Sequence, residues 1–228
     1  MDIVLIAGLW LNGSVWDEVA AQLEALGHRG VSVNLPGQGH GSTAATLDDQ
    51  LAAVLAAVDS AAGRPLVAGH SAASSLAWLA ADRRPEKVSR VALIGGFPSA
   101  DGNTYADFFP VRDGVMPFPG WDPFEGPDSA DLDDAARQEI ASAAIPVPEG
   151  VARGVVRLTD ERRYEVPVVL VCPEYTPDQA REWVDGDQVP ELTKARNVSF
   201  VNIDSGHWPM ITQPAEMARV LVQAAGDA

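Results

Sequence analysis

The chain has 228 residues and sets 16 Lys and Arg against 32 Asp and Glu, a formal charge of -16. A field of that sign repels phosphate backbones and anionic bilayers, so neither nucleic acid nor a membrane surface is expected as a partner. The single cysteine, Cys172, excludes an intrachain disulfide and a cysteine zinc site, and the length suits one sizeable domain.

From the amino end, residues 3–6 form a β-branched apolar run, the pattern of a strand buried on both faces. Asp2 stands where a secretion signal is basic and the run is too short to span a bilayer, so a cytoplasmic protein is expected. Residues 7–14 read as a loop, 15–26 as an amphipathic helix stopped at Gly27, and 31–35 as the second strand. The Gly-rich turn at 36–42 lacks the G-x-x-x-x-G-K-[ST] pattern, so a phosphate-binding loop is not expected there. A helix over 46–62, a strand over 65–68, an Ala-rich helix over 74–82 and a strand over 91–94 follow. This alternation predicts βαβ units: an α/β class, open, mainly parallel six-stranded sheet with helices on both faces.

The alternation stops over residues 98–165, which are rich in Pro, Gly, Asp and aromatics and carry one convincing helix at about 130–144. An excursion of this length predicts a lid or binding insertion within a single domain spanning 1–228. Its Tyr105, Phe108, Phe109, Phe118, Trp121 and Phe124 suit either a roof over an apolar pocket or packing of the insertion onto the body. Order resumes with strands at 166–171 and 198–203, a helix at 177–184 between them and a closing helix at 214–225.

Between the third strand and the next helix stands Gly69-His70-Ser71-Ala72-Ala73, close to the G-x-S-x-G nucleophile elbow. The elbow demands small neighbours because strand and helix backbones nearly touch there, and Ala73 replaces the usual last glycine. A capping serine in an ordinary turn is the competing reading. In an open parallel sheet ligands bind beyond the carboxyl ends of the strands. Leu9 follows the first strand, Ser71 the third, Glu174 the fifth and His207 the sixth, which gives the chain order serine, acid, histidine.

In these features the chain resembles the α/β-hydrolase fold superfamily. More narrowly, Ile3-Val4-Leu5-Ile6-Ala7-Gly8-Leu9-Trp10 with Trp16, the Gly-His-Ser elbow, Phe97-Pro98 and Gly206-His207 resemble the plant methylesterase and hydroxynitrile-lyase branch and its bacterial relatives. The resemblance implies Ser71 as nucleophile, His207 as general base, the backbone N–H groups of Leu9 and Ala72 as oxyanion hole, and Trp10 and Trp208 as pocket walls. It gives His70 a structural part. The family's acid position falls on Thr176, which carries no charge. Glu174, two residues earlier, is the candidate; Asp178 and Asp101 are alternatives, and Glu174 as a mere solvated loop acid stays open.

Cyanohydrin cleavage in this branch uses a first-loop hydroxyl and a lysine after the histidine, where this chain has Gly8 and Trp208. The resemblance therefore implies a carboxylesterase-like serine hydrolase acting on a small hydrophobic ester or related acyl bond, with neither metal nor cofactor. The alternative is a non-hydrolytic member of the fold, either a cyclase or lyase working by proton transfer or a ligand-binding protein without turnover.

Overall fold

In a computed structural model that describes residues 1–39 and 43–226, β1 (Asp2–Ile6) leads through a loop and a 3-10 turn into α1 (Asp17–Ala25) and β2 (Arg29–Ser32). The alternation continues with α2 (Leu47–Asp59), β3 (Leu66–His70), α3 (Ser74–Arg83) and β4 (Arg90–Ile94). An insertion then carries β5 (Val115–Met116), α4 (Asp134–Ala143), β6 (Val147–Pro148) and α5 (Glu149–Ala152). The body resumes with β7 (Val168–Cys172), α6 (Pro177–Asp185), α7 (Pro190–Thr193), β8 (Val198–Asn202), α8 (Pro209–Thr212) and α9 (Pro214–Gly226). His40, Gly41 and Ser42 of the Gly-rich turn lie outside the described residues, as do 227 and 228 at the end of the expected domain.

The large sheet has the order β2-β1-β3-β4-β7-β8, and every pair in it is parallel. β1, β3, β4 and β7 are buried along their whole length, which is why residues 3–6, 66–68, 91–94 and 168–171 within them read as apolar runs. Alternate side chains enter two cores. Val4, Ile6, Val67 and Leu93 meet residues of α2 and α3, whereas Ile3, Leu5, Ala68 and Ile94 meet residues of α1 and α9. Each fully buried aliphatic side chain of this kind contributes roughly 1.5–3 kcal/mol relative to exposure. The strand order reverses between β1 and β3, so the loop after β1 and the turn after β3 border a crevice at the carboxyl rim.

Several boundaries depart from the sequence reading. The second strand begins at Arg29 and ends at Ser32 because Arg29 pairs in register with Asp2 and its Nε donates to the Asp2 carboxylate at 2.9 Å. The helix expected from 15 starts as a 3-10 turn capped by Asn12, whose side chain accepts from Ser14 N–H, and becomes α-helical only at Asp17. The helix expected to reach 62 ends at Asp59, where Ser60 Oγ turns back onto the Ala56 carbonyl at 2.7 Å. The strand expected from 166 begins at Val168, since Pro167 has no N–H for the ladder. Within the insertion the antiparallel pair β5–β6 and the short α5 were not anticipated; two-residue strands leave no periodicity to read. Among the described residues no helix is long and apolar enough to cross a membrane.

Candidate active site

Ser71 stands at the rim with φ +55, a left-handed conformation that non-glycine residues seldom adopt. Strain of this kind costs on the order of 1–3 kcal/mol and concentrates at functional sites. A Cβ on Gly69 would lie 2.2 Å from the Ala73 carbonyl oxygen, so strand and helix approach closer than any side chain permits. Ala73 itself has φ -66, an ordinary helical value, which explains why alanine is tolerated at the last position of the motif. Residues Ser71–Ala73 form a 3-10 turn, and the Ala72 N–H falls in its first turn, where no preceding carbonyl is placed to accept it.

The loop after β1 passes directly over this turn: a Cβ on Gly8 would lie 3.2 Å from Ser71 Cβ. Gln38 donates to the Gly8 carbonyl at 3.1 Å, and Trp10, with φ +61, is pinned to the insertion through Trp10 Nε1 to the Met116 carbonyl and Ile145 N–H to the Trp10 carbonyl. Leu9 N–H makes no backbone hydrogen bond among the described residues. Leu9 thus directly follows the glycine that lies against Ser71, and Ala72 directly follows Ser71 in the turn.

His207 follows β8, and its Nδ1 lies 2.9 Å from Glu174 Oε1 on the loop after β7, with the two side chains only 12% and 13% exposed. Glu174 Oε2 is buried and accepts no hydrogen bond among the described residues. Thr176, where the family's acid was sought, instead caps α6 in a reciprocal capping box with Gln179, which commits it to holding the helix. Asp178 is exposed and pairs with Arg181 at 3.0 Å, while Asp101 accepts from Leu158 N–H at 2.8 Å. The structure therefore brings Glu174 to His207 and leaves Asp178 and Asp101 elsewhere.

His70 is fully buried, and its Nε2 lies 2.7 Å from the His207 carbonyl. Burial, and next the field of His207, push its pKa well below 6.5, so it is neutral. Because His70 precedes Ser71 directly, this bond ties the elbow to the loop that carries His207. Ser71 Oγ itself makes no hydrogen bond among the described residues; catalytic bonds are commonly long without ligand and tighten when substrate arrives.

Aromatic rings close over this rim. Trp10 packs against Phe109, Phe118 and Phe124 with centroids 5.5–6.0 Å apart, and Phe124 stacks at 6.5 Å from the His207 ring. Trp208 is buried against Trp121 and Phe124. Of the other aromatics in the insertion, Tyr105 belongs to the body core and Phe108 is 62% exposed. A cavity of about 390 Å³ adjoins Trp10, lined also by Leu11, Ile140 and Met210, with neither Ser71 nor His207 in its wall. Among the described residues no group of three or more His, Cys, Asp or Glu converges as metal ligands would.

Two further residues touch the histidine loop: His207 N–H donates to the Asp128 carbonyl at 2.7 Å, and Gly206 N–H to the Asp131 carboxylate at 2.8 Å. Burial raises the Asp128 carboxyl above its usual range. Neither aspartate carries a signal in the sequence, since acids in a Pro- and Gly-rich stretch look like solvated loop residues.

A model of the "Alpha/beta hydrolase family" matches residues 3–220. Methylesterase 7 of Arabidopsis thaliana is 24% identical over 254 residues, covering 97% of this chain and 95% of that protein. Among solved structures, an extracellular alpha/beta-hydrolase from a Paenibacillus species, described as sharing structural and functional homology with tobacco salicylic acid binding protein 2, superposes with a TM-score of 0.81 at 21% identity over 100% of both chains. A methylesterase from Arabidopsis, MES16, superposes with a TM-score of 0.75 at 16% identity, again over 100% of both. These likenesses show the α/β-hydrolase fold expected from the elbow and the strand order.

Proposed function

The chain belongs to the alpha/beta hydrolase family, and from that membership we propose that it is a serine hydrolase cleaving a small hydrophobic ester, or a related acyl bond, through an acyl-enzyme. The observation that carries this reading is the 2.9 Å Glu174–His207 pair set at the same rim as the strained Ser71. Ser71 Oγ attacks the acyl carbonyl as His207 Nε2 takes its proton, and Glu174 holds the Nδ1–H and favours the imidazolium that forms. Leu9 and Ala72 N–H receive the oxyanion, an interaction of roughly 2.7–4 kcal/mol per donor in enzymes where one has been removed. His207 then protonates the departing alcohol, and water, deprotonated by the same imidazole, releases the acid.

The aromatic surroundings of Trp10, Phe124 and Trp208 favour an apolar ester over a sugar or peptide. In this reading residues 98–165 act as the lid whose rings exclude water. The methylesterase relative supports ester chemistry, as does the absence of a first-loop hydroxyl at Gly8 and of a lysine at Trp208.

The test is turnover of p-nitrophenyl acetate and butyrate together with labelling by a fluorophosphonate probe. Wild-type protein is expected to do both, and Ser71→Ala to lose both. Full turnover by the Ser71→Ala variant overturns the acyl-enzyme route. A folded wild type that neither labels nor hydrolyses points to the non-hydrolytic alternative.

A further inference from the structure

We infer that Asp131, in the insertion, is a positioning residue for His207, so that alignment of the base depends on the insertion being seated; this rests on the reading of His207 as general base. Two consecutive N–H groups of the histidine loop are held by one short stretch: Gly206 donates to Asp131 Oδ2 at 2.8 Å and His207 to the Asp128 carbonyl at 2.7 Å. Ser205 Oγ lies 3.2 Å from the same Asp131 oxygen and 2.9 Å from Thr212 Oγ1, which extends the grip to α8. The approach is possible only because residue 206 is glycine. A Cβ there would lie 2.3 Å from Asp131 Oδ1 and 2.4 Å from the Asp128 carbonyl oxygen.

The stretch doing the holding is itself braced. The buried Ser129 donates to the Phe124 carbonyl at 2.7 Å, and Arg137 Nη2 reaches the Ser129 carbonyl and hydroxyl at 3.0 and 2.9 Å. Phe124 stacks on the His207 ring and Trp121 meets Trp208. His207 is thus fixed at its N–H by the insertion, at its carbonyl by His70 and at Nδ1 by Glu174. Of the two main-chain N–H bonds from this loop to the insertion, the one from Gly206 ends on the Asp131 carboxylate, a stronger acceptor than the neutral Asp128 carbonyl, so it is the charge-assisted one. Displacing a catalytic group by about 1 Å costs about 10²-fold in rate, which sets the scale of its effect.

Asp131→Ala is expected to lower kcat by roughly 10- to 100-fold with KM changed no more than about twofold, while Asp131→Asn, which keeps an oxygen acceptor, recovers most of the rate. Gly206→Ala, whose methyl group pushes Asp131 and Asp128 away, is expected to reproduce the kcat loss. Melting temperatures accompany each variant. Wild-type kcat in Asp131→Ala overturns the proposal, as does a loss that follows the melting temperature and is not recovered by Asp131→Asn. Amide hydrogen exchange supplies a readout independent of ester turnover: Gly206 and His207 are expected to be protected in the wild type, with Gly206 exchanging about tenfold or more faster in Asp131→Ala. If the wild type hydrolyses no ester, the functional reading fails by itself and exchange alone decides the contact. Equal protection in wild type and Asp131→Ala then refutes it.

Discussion

His70 Nε2 donates across 2.7 Å to the main-chain carbonyl of His207, so the residue ahead of the elbow serine holds the loop bearing the second imidazole. A carbonyl can only accept, which places the proton on Nε2 and leaves the buried Nδ1 as an acceptor with no partner among the described residues. The ring is therefore held neutral by its surroundings.

This has a consequence for stability. His70 in the unfolded chain titrates near 6.5, whereas in the folded chain burial depresses its pKa well below that value. Below pH 6.5 the unfolded state binds a proton that the folded state does not. Its contribution is whole above that pH and is lost on acidification at about 1.4 kcal/mol per pH unit, until the folded pKa is reached. Urea denaturation between pH 6.5 and 5 is expected to show a slope that is shallower in His70→Gln than in the wild type by up to that amount, the rest of the wild-type slope coming from other groups such as His28, which burial also depresses. Identical slopes in the two proteins would refute the assignment.

Glu174 is expected to govern rate and not folding. Replacing the acid of such a triad by its amide lowers kcat by roughly 10⁴-fold in the template case, and Glu174→Gln is expected to lose about 10³- to 10⁴-fold with an unchanged melting temperature. Asp178→Asn, which alters an exposed pair with Arg181, serves as the control and should stay within about twofold of wild type. A large loss in the control with little in Glu174→Gln would reverse the choice of acid.

Arg163 is buried between two carboxylates, Asp82 at 3.3 Å and Glu191 at 3.0 Å, and Glu191 also accepts from Trp78 Nε1. Asp82 in turn receives the N–H groups of Thr159 and Asp160, anchoring the end of the insertion to α3. Arg163→Ala leaves the buried Glu191 without its cation, while Asp82 keeps Arg83, and should cost about 3–5 kcal/mol in urea unfolding. A loss under about 1 kcal/mol would mean that the cluster is solvated in solution.

Phe124 lies over His207 and between Trp10 and Trp208. Its truncation to alanine should open room beside the imidazole and raise kcat/KM for phenyl esters relative to acetate by about tenfold, the scale of a single hydrophobic change in a pocket. Comparison of ester series in wild type and Phe124→Ala checks this. An unaltered preference would place the substrate elsewhere.

The apolar runs at 3–6, 66–68, 91–94 and 168–171 and the order Ser71, Glu174, His207 are properties of the chain itself: a strand buried on both faces is apolar over most of its length, and parallel connections deliver successive strand ends to one rim. Which carboxylate meets His207 was not legible in that way, because Glu174 and Asp178 stand in one loop and its continuation and differ only in where the capping of α6 by Thr176 directs them. The grip of Asp128 and Asp131 on Gly206 and His207 was likewise invisible. Hydrogen bonds between residues some 75 positions apart impose no local pattern on either partner, so only the folded chain, by bringing them within bonding distance, decides that they exist.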